Sequence, residues 1–94
     1  MIQRFCFVKL LDDEVATRSE LAQILRGQLE SAGASCVVGT PADDSAARWD
    51  ISIVISAASL DAWAQLASLP AMTGLFDELS ARAAVVKAWT FEAA

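Results

Sequence analysis

Trp49-Asp50-Ile51-Ser52-Ile53-Val54-Ile55-Ser56, then the break Leu69-Pro70-Ala71-Met72, then Lys87-Ala88-Trp89-Thr90-Phe91: these three segments decide the fold of this chain. Alternating bulk makes the first a strand. Ser59 stands where a helix N-cap belongs, and Leu60, Trp63, Leu66 and Ala67 follow at helical spacing. Pro70 removes a backbone donor and breaks or kinks that helix. Leu75, Phe76 and Leu79 then continue an apolar face, and Glu78 with Arg82 reads as a weak i,i+4 ion pair. A last strand is expected over about 83–92.

Toward the amino terminus, a first strand is read over residues 2–10, apolar on both faces, so protein is expected to cover both. Asp12-Asp13-Glu14 is a polar connection, and Thr17-Arg18-Ser19-Glu20 has the form of a capping box. The helix it opens places Leu21, Ile24, Leu25 and Leu29 on one face and ends near Gly33, which suits a left-handed cap. Gly27 within it hints at close packing or is simply tolerated. A short strand with Cys36, Val37 and Val38 spans about 34–40, and Asp43-Asp44-Ser45 is a turn-rich loop. The order β-α-β-β-α-β is the split arrangement of ferredoxin-like α+β folds. It predicts one domain over residues 1–94, a four-stranded antiparallel sheet in the order 4-1-3-2, and both helices on one face. In that order the strands of Cys6 and Cys36 are not neighbours, which disfavours a disulfide.

Composition removes several functions. The net charge is −5, and the seven bases are scattered, so neither nucleic acid nor an anionic membrane is an expected partner. No apolar run reaches the roughly 20 residues of a membrane span. The amino terminus, interrupted by Arg4 and Lys9, does not read as a signal peptide, which leaves a cytoplasmic protein with reduced thiols. Two cysteines thirty residues apart, with no His anywhere, make no metal set, and no cofactor is implied.

The helices cover one side of the sheet. With the even positions of the first strand and Val86, Ala88 and Thr90 turned toward them, Phe5, Phe7, Trp89 and Phe91 project from the other side. Monomers rarely expose such a patch, and a tail long enough to cover it is not expected after Ala94. A homodimer, two sheets packed face to face into a barrel, is therefore expected.

The chain resembles the stress-responsive dimeric α/β-barrel (Dabb) family over nearly its full length. The resemblance rests on Met1-Ile2 with Phe7-Val8-Lys9-Leu10-Leu11-Asp12-Asp13, on Trp49-Asp50 before an apolar strand, on Ser59-Leu60, and on Leu69-Pro70-Ala71-Met72 followed by Phe76. The family commonly shows His-Pro-x-His at that last position and often a His on the first strand. Leu69, Met72 and Arg4 stand there instead. A polyketide cyclase of the family uses a Tyr–His pair for ring closure; this chain has neither residue type, so that mechanism does not carry over.

The space between sheet and helices is the natural pocket of such a fold. Its expected lining is Arg4, Cys6, Ile51, Ile53, Trp63, Leu66, Leu69, Met72, Val86 and Ala88. One convergent cation in an apolar cleft suits a small hydrophobic acid, with Arg4 holding a carboxylate or enolate oxygen. The competing reading makes these residues plain core, with Arg4 reaching the rim or pairing with an acid. Asp50 is either a base in an apolar setting or a strand-edge residue paired with Arg48 or Lys87. Cys6 has no His to activate it and reads as structural. Three functions stay open: a binding protein for a small apolar ligand, a cofactor-independent monooxygenase or cyclase-like enzyme, and a purely structural module. A regulatory amino-acid-binding module ranks below these, because no Gly-bearing turn precedes the first helix.

Overall fold

Residues Met1–Ala94 are all described in the computed structural model. Strand β1 (Ile2–Leu10) leads through 3-10 turns at Asp12–Thr17 into α1 (Arg18–Ser31) and β2 (Ser35–Gly39). A single 3-10 turn at Asp44–Ala46 precedes β3 (Ile51–Ala57), after which come α2 (Leu60–Ala67), α3 (Pro70–Arg82) and β4 (Ala83–Glu92). The sheet is antiparallel in the order β2-β3-β1-β4, the expected order read from its other edge. The fold is ferredoxin-like, with the helices on one side.

Strand alternation sorts the side chains as their pattern requires. Ile2, Cys6, Val8 and Leu10 of β1 and Ile51, Ile53 and Ile55 of β3 are buried. Leu21, Leu25 and Leu29 of α1 and Met72, Leu75 and Leu79 of α3 complete the core. Ile24, expected in the α1 stripe, is 45% exposed; Ala22 takes the buried position beside it, so the stripe runs at i and i+4 and turns Ile24 to solvent. Gly33, with φ of +94°, ends α1 in the region only glycine enters readily. A side chain on Gly27 would meet nothing within 4 Å, so close packing is not why glycine stands there.

Three local expectations are corrected. Thr17 makes no side-chain cap, because the 3-10 turns run directly into α1; its hydroxyl donates instead to the Glu14 carbonyl at 2.7 Å. Arg82 bonds Glu14 rather than Glu78, through Nε at 2.9 Å and Nη2 at 2.7 Å, and ties the end of α3 to those turns. Asp50 pairs with neither Arg48 nor Lys87. It accepts the Leu10 N–H at 2.8 Å and meets Arg18 at 3.4 Å, because it faces the helices while Arg48 lies over the Trp49 ring.

The α2–α3 junction has the form its proline dictates. Ser59 caps α2 by accepting the Ala62 N–H at 3.1 Å. Pro70 occupies the first turn of α3, and Leu69 before it is extended (φ −62°, ψ 136°). The helix α2 is two turns long and contributes no fully buried residue. Trp63 and Leu66 pack it against the core, and a gap remains between it, α3 and the sheet as far as β4.

Candidate functional site

The gap is a cleft of about 340 Å³ between α2, α3 and the β3-β1-β4 part of the sheet. Its floor comes from adjacent strands in register. Arg4 lies between Ile55 and Thr90, and Cys6 beside Ala88. Trp63 and Ala67 of α2 form one wall and Met72 and Phe76 of α3 another, while Val86 stands at the open side.

Arg4 is the one cation in this lining. Its Nη1 donates to the Thr90 hydroxyl at 2.9 Å, and its guanidinium carbon lies 5.6 Å from the centroid of the Trp63 ring. A ring face supports the guanidinium charge without neutralising it. None of the four ion pairs in the chain involves Arg4. Thr90 and Trp63 hold the group in place and leave its remaining donors without an acidic partner.

Chemically, the cleft can bind and polarise. Burial pushes the Cys6 thiol up, with Arg4 opposing in part, so Cys6 carries little thiolate at neutral pH. Cys36 is likewise raised by burial and then by Glu30, with Arg26 opposing, and both cysteines are free. Asp50 lies outside the cleft lining, and its oxygens are engaged by Leu10 and Arg18, which is a structural role. No cluster of His, Cys, Asp or Glu has metal-site geometry.

Of the residues expected in the lining, Arg4, Cys6, Trp63, Met72, Val86 and Ala88 are there. Ile53 and Ile51 are not: the helices seal them into the core at 0% and 1% exposure. Leu66 packs against that core instead of the cleft. Leu69 is 41% exposed, since the extended conformation before Pro70 takes it away from the cleft; Leu60, at 62%, leaves the apolar stripe expected for α2. Ile55, Ala67, Thr73, Phe76, Asp77 and Ser80 line the cleft and were not anticipated. The i, i+4 spacing of Thr73, Asp77 and Met72, Phe76 was the available signal, but it does not say which helical face meets the sheet.

On the opposite side of the sheet the aromatics meet along diagonals between β1 and β4. Phe5 and Phe91 stack edge to face at 5.7 Å, and Phe7 and Trp89 lie 5.9 Å apart. Trp49 joins them, 5.8 Å from Phe7, although it precedes β3. Trp89 and Phe91 remain 45% and 57% exposed, and Val37 and Val85 extend the uncovered apolar surface. No helix is long and apolar enough to cross a membrane.

No family-wide sequence profile matches the chain, and no curated protein matches it by sequence. Solved structures match its shape. An Arabidopsis thaliana protein is similar over 100% of this chain and 96% of its own, with a TM-score of 0.82 and 10% identity. A dimeric protein of unknown function and ferredoxin-like fold from Bacteroides fragilis covers 98% and 95%, at 0.77 and 14%. A putative antibiotic biosynthesis monooxygenase from Deinococcus radiodurans covers 100% and 93%, at 0.73 and 16%. At such identities the likeness establishes the fold.

Proposed function

We propose that this protein is a cytoplasmic homodimer, two sheets packed through their open faces into an α/β barrel of the stress-responsive kind, that binds a small hydrophobic acid in the helix–sheet cleft. The observation that carries the ligand is Arg4, a fixed cation without an acidic partner in a cleft otherwise lined largely by apolar groups. Desolvated charge is costly unless matched, and a carboxylate or enolate oxygen matches it. The cleft volume falls in the range of small-molecule sites. Dimerisation is supported by the aromatic face, larger in apolar character than monomers usually leave in water, and by the dimeric state of several proteins of this shape.

Titration calorimetry with benzoate and its neutral amide tests the ligand reading. Benzoate is expected to bind at least about 10-fold tighter than benzamide, and Arg4→Ala to abolish that preference, a loss typical of a charge-assisted hydrogen bond. Equal binding of the two by the wild-type protein, or a preference unchanged in Arg4→Ala, contradicts it.

A second reading draws on the monooxygenases that share the fold. A cofactor-independent oxygenase relies on the reactivity of its substrate, and Arg4 would then stabilise the enolate or phenolate form of a quinol. Oxygen uptake with quinol substrates, lost in Arg4→Ala, supports this reading; none with any quinol that binds removes it.

A further inference from the structure

The helix α3 presents two rows to the cleft. Met72 and Phe76 form an apolar row, and Thr73, Asp77 and Ser80, at i, i+4 and i+7, form a polar one beside it. The Thr73 hydroxyl is committed to the Pro70 carbonyl at 3.2 Å. Asp77 is not: it takes part in none of the four ion pairs and accepts no side-chain hydrogen bond. One cavity thus holds a cation and a carboxylate that do not meet, with Trp63, Met72 and Phe76 among the apolar groups lining the same space.

Arg4 is half-buried on the floor of the cleft and Asp77 is exposed at its edge, so opposite charges mark its two ends and the arrangement fits an occupant that spans them. A plain monoanion gains from Arg4 and is repelled by Asp77. An acid at both ends is disfavoured outright. A molecule with a donor at its far end gains at both.

We propose that the ligand is bipolar: a small ring system with an acidic oxygen at Arg4 and a hydrogen-bond donor, a hydroxyl or a protonated amine, at Asp77. This inference rests on the ligand-binding reading above and narrows its substrate class. Ser80, one turn further along α3, is the second acceptor available to that donor.

Calorimetry with four probes tests it: benzoate, para-hydroxybenzoate, para-(aminomethyl)benzoate and terephthalate, each against the wild-type protein, Asp77→Asn and Arg4→Ala. In the wild type, both donor-bearing probes are expected to bind at least about 10-fold tighter than benzoate, with terephthalate weakest. In Asp77→Asn the ammonium probe loses its advantage while the hydroxyl probe keeps most of it, since an amide carbonyl still accepts; terephthalate improves. Asp77 is exposed on a helix surface, so the variant retains the fold.

Equal affinity for benzoate and both donor-bearing probes in the wild type overturns the inference, as does an unchanged ranking in Asp77→Asn. Should Arg4→Ala weaken benzoate while the para groups make no difference, only the bipolar inference falls. Failure of every probe at millimolar concentration overturns both it and the ligand reading.

Discussion

Ile53 and Val54 are neighbours in β3, and they live on sides of the sheet that solve the same problem differently. Ile53 faces α1 and α3 and is fully buried among aliphatic side chains supplied by its own chain. Val54 pairs with Phe5 of β1 and Val37 of β2 on the side no helix reaches. The covered side is built from Ile, Val, Leu and Met, which interlock at close distance. The open side is built from large flat rings that stack on one another and still present area outward. Aliphatic packing finishes a fold from within, whereas an aromatic surface of this kind leaves apolar area outward, which the proposed second copy would cover.

That contrast can be broken most strongly at Ile53. Ile53→Ala should cost about 2–5 kcal/mol in denaturant unfolding, because it leaves a cavity no side chain can fill. Val54→Ala should cost about 1 kcal/mol or less in the monomer, and its effect should grow with protein concentration if a second copy covers it. Similar, concentration-independent losses for the two would show that the faces do not differ in the way described.

Next in size is Asp50, buried just before β3 and bonded to the end of β1. Asp50→Ala leaves the Leu10 N–H without its acceptor and should cost about 1–3 kcal/mol, measured the same way. A cost no larger than that of an exposed substitution such as Glu78→Ala would remove its structural role.

Thr90 governs the position of Arg4 in the cleft. Thr90→Val keeps the shape and removes the acceptor that holds Arg4, so benzoate affinity should fall about 3- to 10-fold with stability little changed. An unchanged affinity would mean that Trp63 alone positions the guanidinium.

The smallest expected effect is the pH response of Cys6. The unfolded thiol ionises from about pH 8.5, while burial raises the folded one above that, so above this pH the folded state holds a proton the unfolded state has lost. Stability is therefore fully present below about pH 8.5 and declines as pH rises through the folded value. Cys6→Ala should make that decline shallower, whatever its cost at neutral pH. An unaltered slope would assign the alkaline loss to other groups.

The order of elements was legible because period-two strands, Ser59, Gly33 and Pro70 are local signals with local causes. The side of Phe5 and Phe7 was legible for the same reason. What escaped reading depended on phase between elements. Leu69 was expected in the cleft lining, but the proline after it forces extended backbone and carries it outward. Asp77 and Ser80 could not be placed because the rotation of α3 about its axis is set by Met72, Leu75 and Leu79 docking on the sheet. Arg82 chose Glu14 over Glu78 because the 3-10 turns bring that carboxylate within 2.7 Å of its guanidinium.

The claim that joins both faces is that the open one belongs against a second copy, and sedimentation velocity tests it most directly. At micromolar concentration the wild-type chain should sediment at twice its 10.0 kDa mass, and Trp89→Glu should sediment at 10.0 kDa with its circular dichroism unchanged. A wild-type protein that stays at 10.0 kDa across the micromolar range would contradict it.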